Sequence, residues 1–408
     1  MTTASTSGAS LDPVTFNPYD YDFHDDPYRV YARLRDEHPL YRNVDMSFWA
    51  LSRHADVMAG FRDSKRLSSA NGVSLDPAAY GPHAHRTMSF LAMDDPRHMR
   101  MRHLVSRGFT PRRVAELEGR ITELTRQYLE PALDAGEFDW ISEFAGKLPM
   151  DVISELMGVP ESDRAELRRL ADLVVHREDG VLDIPPAAIE SSIKLITYYV
   201  EMLGQRRRNR ADDLTSALID AEIDGDKLTD EEIIGFMFLM VVAGNETTTK
   251  LLGNALYWGA RHPDQAAAVL RDRALAPQWV EETLRYDTSS QILARTAAVD
   301  LEFHGQTIPA GDRVLLLVGS ANRDSRAFED ADEFRISRDS SNKLASFGSG
   351  THFCLGAHLA RLEANIALAE FADRVEEFEI DESRSVRVHS TNVRGFASLP
   401  TKVKVRSA

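Results

Sequence analysis

Between residues 113 and 129, Val114, Leu117, Ile121 and Leu124 recur every three or four positions, the spacing of one helix face. Residues 162–175 and 189–208 repeat the pattern, and residues 26–37 form a shorter amphipathic helix stopped near Pro39. The clearest start is Thr229-Asp230-Glu231-Glu232. It is a capping box, in which the Thr hydroxyl and the Glu carboxylate each satisfy a free backbone N–H. From there the spacing predicts a helix through Phe236, Leu239 and Val242 to about His262, before Pro263. Before Gly244 it is apolar on nearly every side, so burial is expected. Strand patterns are short: residues 48–52, 301–304, 313–318 and 402–405. The sum is a mainly α chain with a small β-rich portion, without the αβ alternation of a doubly wound sheet.

One stretch breaks the buried helix. Ala243-Gly244-Asn245-Glu246-Thr247-Thr248 puts polar groups where burial costs free energy unless they are paired. Gly244 weakens the helix by about 1 kcal/mol relative to alanine. The Thr247 hydroxyl can reach the Ala243 carbonyl four residues back and bend the helix. Together they predict a local bulge. Two readings stand: a wall of an internal cavity, or a polar face turned to solvent.

Composition narrows the classes. Hydrophobic residues are 43% and charged residues 27% of 408, as in a globular protein. Length alone allows two or three domains, but no linker or repeat divides the chain. Met1 to Leu11 is small and polar, so a flexible tail is expected, taken to run to residue 20, with a single large domain over residues 21–408. The most apolar stretch, residues 235–244, is too short to span a bilayer, and a soluble cytoplasmic protein without a membrane anchor is expected. The net charge of −16 argues against nucleic-acid binding. Against that balance, Arg97, Arg100, Arg102, Arg107, Arg112 and Arg113 cluster with His98 and His103. The cluster is either a docking patch for an acidic partner or a solvated helix face.

Cys354 is the only cysteine, which excludes an internal disulfide and multi-thiolate cages. It lies in Ser346-Phe347-Gly348-Ser349-Gly350-Thr351-His352-Phe353-Cys354-Leu355-Gly356, just ahead of an amphipathic helix carrying Leu359, Leu362, Ile366 and Leu368. A helix N-terminus stabilises a thiolate and lowers its pKa. Gly348, Gly350 and Gly356 allow tight turns and leave room for something flat. An axial thiolate to a haem iron suits this arrangement. A small buried hydrophobe, or a thiol acting with His352 or His358, are the other readings.

The pattern Phe347-Gly348-x-Gly350-x-His352-x-Cys354-x-Gly356 resembles the haem-binding loop of the cytochrome P450 monooxygenases at all six fixed positions. The resemblance implies that Cys354 is the proximal metal ligand. Ala243-Gly244-x-Glu246-Thr247-Thr248 resembles the family's distal-helix signature. It implies that Thr247 holds dioxygen and its water while Glu246 relays protons, since heterolytic O–O cleavage needs two protons. His98-x-x-x-Arg102, Arg295 and His352 match the family's haem-propionate ligands. Glu282-x-x-Arg285, with Arg338 after it, resembles the buried network that holds the core around the haem. Thr288-Ser289-Ser290 and Ser325 depart from the pattern where proline is common.

The resemblance runs from about Asp26 to Pro400 and implies haem b, O2 as co-substrate, and electrons from NAD(P)H. A separate ferredoxin and ferredoxin reductase would deliver them, docking near Arg100, Arg107, Arg112, Arg113 and Arg361. It implies a pocket lined by residues 72–90, Leu239, Val242, Ala243, Gln291, Ile292, Leu293, Asn392 and Val393. These are largely apolar, so a hydrophobic small molecule is expected, such as a steroid, lipid, terpenoid or polyketide-type metabolite, to be hydroxylated or epoxidised. Peroxide-driven chemistry on the same fold and a haem-binding sensor without turnover are the rival readings.

Overall fold

The computed structural model describes residues 14–106, 109, 111–223, 225–340 and 342–407, leaving the side chains of Pro111 and Arg113 undescribed. Arg107, the side chain of Arg113 and residues 1–13 of the expected tail therefore lie outside the described residues. The helices that position the site are α1 (Arg97–Ser106), α2 (Glu118–Ala135), α3 (Glu161–Val175), α4 (Pro186–Arg208), α5 (Asp230–Arg261), α6 (Ala276–Tyr286) and α7 (Ala357–Arg374). The strands are β1 (Leu40–Asn43), β2 (Phe48–Leu51), β3 (Leu67–Ser68), β4 (Glu137–Asp139), β5 (Ile292–Ala297), β6 (Arg313–Leu317), β7 (Val375–Ile380) and β8 (Pro400–Val405).

Helix α5 is the axis of the helical part. Its N-cap Thr229 accepts from the Glu232 N–H, and the Glu232 carboxylate accepts from the Thr229 N–H, so the capping box forms as the sequence predicts. Phe236, Val241, Leu252, Ala255 and Leu256 are fully buried along it, in one large core shared with α2, α3, α4 and α7. Burying such side chains contributes about 1.5–3 kcal/mol each, which explains a helix far longer than propensity alone would hold.

The expected helix over residues 113–129 is divided at Leu117 into Pro111–Glu116 and α2, and α2 runs on past Pro131 to Ala135. Burial of Ala132 and Leu133 overrides the local preference to stop at proline. Gly136, with φ +73°, ends α2 in the left-handed conformation that glycine accepts.

The larger sheet has the order β1–β2–β6–β5–β3. Strand β6 runs parallel to β2, with Leu315 opposite Ala50, and antiparallel to β5, with Val314 opposite Arg295. A three-stranded sheet, β7–β8–β4, closes against α2 and α7. Phe16 is fully buried and Tyr19 is nearly so, packed with Phe23, Tyr31 and Phe48. The expected tail boundary at residue 20 is corrected by this: packed structure begins earlier, because two aromatic side chains reach the sheet. Among the described residues, no helix is long and apolar enough to cross a membrane.

Candidate functional site

Three pieces of chain form the site: the loop leading to α7, helix α1, and the middle of α5. The loop is bent by Gly348 (φ +66°) and Gly350 (φ +72°). A Cβ on Gly350 would approach the Phe61 carbonyl oxygen to 3.0 Å, so a side chain there meets both strain and a clash. Gly356 differs. Its φ is −87°, and a Cβ there would meet no other atom within 4 Å. The Cys354 N–H donates to the Phe347 carbonyl at 2.9 Å and pins the loop on itself.

The Cys354 residue is exposed, yet protein surrounds its thiol closely enough that burial pushes the pKa up. The N–H groups of Gly356 and Ala357, with Arg102 and Arg361, pull the other way without prevailing. The helix N-terminus was expected to depress the thiol pKa, but desolvation of a thiolate outweighs the dipole.

Helix α1 brings His98 and Arg102 onto one face, four residues apart. The His98 ring lies 4.0 Å, centroid to centroid, from His352. Arg102 donates to the Phe353 carbonyl at 2.6 Å, tying α1 to the cysteine loop. Arg295 projects from β5 and, among the described residues, donates to the Ala294 carbonyl alone. Four basic groups thus converge, faced by Asp95, whose carboxylate lies 3.4 Å from His98 Nδ1, and by Asp94 near Arg295. His98 Nε2, Arg102 Nη1 and both ring nitrogens of His352 are buried without a hydrogen-bond partner. Burial, then Arg295, His98 and Arg102, push His352 down to about 3, and burial pushes Arg295 down to about 10. Orphaned buried donors are costly, and a cluster of them marks a place for an anion.

On α5, every residue from Gly235 to Leu256 is buried except Val242, Ala243, Gly244 and Thr247. Those four make a partly exposed stripe in an otherwise buried stretch. The Thr247 hydroxyl donates to the Ala243 carbonyl at 2.8 Å, as expected, and Thr248 bonds Gly244 likewise at 3.3 Å. The expected bulge does not form: the α-helical ladder is continuous, since both hydroxyls add bonds without displacing backbone ones. Glu246 is 1% exposed, with Lys250 Nζ 3.2 Å from its carboxylate. The Asp172 carboxyl, on α3, is the other charged group that bears on it electrostatically. Lys250 was legible as a partner at i+4; Asp172, on another helix, was not.

The remaining pocket residues divide by strand geometry. Leu239 is nearly buried and Val242 half-buried on the α5 stripe. Leu293 lies on the same face of β5 as Arg295. Ile292 points the other way, into the cluster of Phe16, Leu315 and Leu75, the last from residues 72–90. Gln291 is 5% exposed, donates to the Thr288 carbonyl at 2.8 Å and packs on Gly319, where a Cβ would come within 2.0 Å of it. Its amide thus braces the turn at Thr288, while its Oε1 has no hydrogen-bond partner among the described residues. Asn392 and Val393 are half-buried beside it; the Asn392 carbonyl accepts from the Gln291 N–H at 2.8 Å. Residues 72–90 fold against α5, where a Cβ on Gly235 would approach the Arg86 carbonyl to 2.9 Å. Sequence reasoning missed the tie that holds this loop: fully buried Asp76 is ion-paired with Arg177 at 2.6 Å, just beyond α3.

The expected buried network forms. Arg285 binds Glu282 through two bonds of 2.7 and 2.9 Å and the carbonyls of Asn322, Ala331 and Glu333. Arg338 reaches Glu282 at 3.3 Å. The basic patch is less available than its sequence suggests. Arg100 is ion-paired with Asp226 and Glu232, and Arg361 with Glu281 while lying over the Phe347 ring. Arg112 pairs with Glu116 but stays 89% exposed.

A cysteine-bearing glycine loop and a Gly-x-Glu-Thr stretch on this helical frame are the marks of a haem-thiolate protein, and the chain belongs to the cytochrome P450 family. The family's sequence model, Cytochrome P450, matches residues 187–406. Cytochrome P450 123 of Mycobacterium tuberculosis is 61% identical over 393 residues, covering 96% of this chain and 98% of the relative. A vitamin D(3) 25-hydroxylase of Pseudonocardia autotrophica is 39% identical over 395 residues, covering 95% and 96%. Among solved structures, CYP109E1 of Bacillus megaterium in complex with testosterone superposes with a TM-score of 0.86 at 30% identity, covering 93% of this chain and 98% of that one. The chain is thus a P450 monooxygenase, of a family that uses haem, O2 and redox partners.

Proposed function

We propose that this chain hydroxylates a hydrophobic small molecule, with Cys354 as the axial thiolate and His98, Arg102, Arg295 and His352 as ligands of the haem propionates. The observation that carries this is the set of buried nitrogens of His98, Arg102 and His352, on α1 and the cysteine loop, that have no hydrogen-bond partner among the described residues. They fit the two carboxylates of haem b. The open space beside Gly356 and the thiol at Cys354 fit the flat ring and its metal.

Haem, when bound, supplies O2 activation, so that one oxygen atom enters a C–H bond and the other leaves as water, at the expense of two electrons and two protons. The chain's residues serve the protons and the substrate. The Thr247 hydroxyl, held by the Ala243 carbonyl, is aimed along the half-exposed stripe and can donate or accept a hydrogen bond there. Glu246, one residue before, is a proton carrier kept out of bulk water. Leu239, Val242, Ala243 and Leu293 offer apolar walls that exclude water and hold an apolar substrate. A steroid-like or lipid-like substrate is supported by the relative named for vitamin D(3) and the structure with testosterone. Electrons come from a separate ferredoxin and its reductase drawing on NAD(P)H. Exposed Arg112 belongs to its docking face, and Arg100, already paired twice, does not.

The test is the absorption spectrum of the reduced protein under carbon monoxide. A strongly red-shifted Soret band that is lost in Cys354→Ser supports the assignment. A band indifferent to that substitution sinks it.

A further inference from the structure

Helix α4 has two apolar faces, and its own chain covers one of them. Leu195, Tyr199, Met202 and Leu203 are buried, on the side that packs against α3 and α5. On the outward side Ile189 is 46%, Ile193 59% and Val200 50% exposed, with Ile196 half-buried among them. Their spacing of four, three and four residues is that of a coiled-coil seam, which keeps facing one partner along a helix. Scattered exposed hydrophobes are ordinary on a protein surface; a row of them over three turns is an interaction site. Gly204 continues the row one turn after Val200. Glycine weakens a helix interior, and nothing in its own chain asks for it here: a Cβ would meet only Arg208 Nη1, at 3.8 Å. Open room at the end of an apolar seam fits a side chain arriving from outside.

The charges beside the seam identify the partner. Lys194 is ion-paired with Glu190 at 2.7 Å, with both side chains exposed. Glu201, also exposed, forms no ion pair among the described residues. This row is complementary to itself when reversed. With a second α4 antiparallel about a two-fold axis between residues 196 and 197, Ile193 faces the partner's Val200 and Ile189 faces the partner's Gly204. Lys194 then comes beside the partner's Glu201. A parallel pair would set Lys194 beside Lys194 and Glu201 beside Glu201, and would align the two helix dipoles unfavourably. An anionic lipid surface is opposed by the two glutamates along the seam and by the net charge of −16.

We propose that α4 is a self-association surface, through which two copies of this chain pair antiparallel along Ile189, Ile193, Ile196 and Val200. The contact is isologous and closes at two copies. One helix from each copy makes a small interface, so the dimer exchanges with monomer at roughly 10–100 µM. The inference is independent of the reaction proposed above.

Sedimentation equilibrium of the haem-loaded protein, at concentrations that bracket this range, tests it. The average mass of wild type should climb from one copy toward two and stop there. Ile193→Glu puts two carboxylates into the seam and should weaken the dimer about tenfold or more. Lys194→Glu and Glu201→Lys each spoil two exposed ion pairs per dimer and should each weaken it about fivefold. The double variant, which exchanges the charges, should return to the wild-type constant. Val44→Glu, at a 73% exposed apolar residue between β1 and β2, should leave the constant unchanged. Circular dichroism checks that each variant folds, and if Ile193→Glu does not, the charge exchange decides alone. A monomer at every concentration overturns the proposal. So does a dimer indifferent to a folded Ile193→Glu, or a double variant no better than its singles. Co-sedimentation of the monomer with vesicles of phosphatidylcholine and phosphatidylglycerol, lost in Ile193→Glu, would overturn it by giving the seam to a lipid surface.

Discussion

Replacing Arg295 with methionine should change stability in opposite directions with and without haem. Arg295 is 4% exposed, and among the described residues it donates a hydrogen bond to the Ala294 carbonyl alone. Burial lowers its pKa from the ordinary guanidinium value to about 10, with Asp94 offering partial relief. That depression corresponds to about 3 kcal/mol against the folded apoprotein. Losing the carbonyl hydrogen bond gives back about 1 kcal/mol. Arg295→Met should therefore stabilise the apoprotein by roughly 2 kcal/mol, since methionine fills similar volume without charge. The sign is independent of pH through the neutral range. A cation whose folded pKa lies below its unfolded value weighs against the fold at every pH below the folded value, about 10 here, and the penalty fades only above it. In the haem-loaded protein the same arginine would bind a carboxylate, and its loss should cost about 1.5–3 kcal/mol. Urea unfolding of apo and haem-loaded forms, wild type beside Arg295→Met, reads both numbers. A variant that is destabilised equally in both forms would refute the view that this basic cluster is built for an anion.

Two further outcomes follow from the site. Arg285→Ala leaves Glu282 partly unpaired in the core and removes the donor from three carbonyls, so a loss of about 3–5 kcal/mol and poor haem retention are expected in denaturant melts. Thr247→Ala should retain haem while diverting reducing equivalents to peroxide, measured as peroxide formed per NADPH consumed. Unchanged coupling would remove Thr247 from the proton path.

Much of the frame was legible along the chain because its causes are local. The capping box at Thr229 satisfies backbone donors within one turn, the apolar run after it can only be buried, and the Thr247 to Ala243 bond spans one helical turn. The cysteine loop was equally readable, since Gly348 and Gly350 take left-handed angles next to the residue they position. What failed depended on neighbours remote in sequence. Leu117 breaks one helix and Pro131 fails to end the next, because the core decides both. Ile292 packs with Phe16 and Leu315, and Gln291 packs on Gly319, contacts set by elements far away in the chain.

By itself, then, the sequence determined which residues could do chemistry: one thiol on a glycine loop, an acid–alcohol pair in a buried helix, and scattered histidines and arginines. Only the tertiary structure decided which charges stay free. Arg100 and Arg361 are consumed by acids from other elements, His98, Arg102 and His352 keep buried donors unpaired, and Asp172 bears on Glu246 from another helix. The reason is physical. Backbone geometry and capping act over a few residues, whereas the pairing and desolvation of a charge depend on every element packed around it.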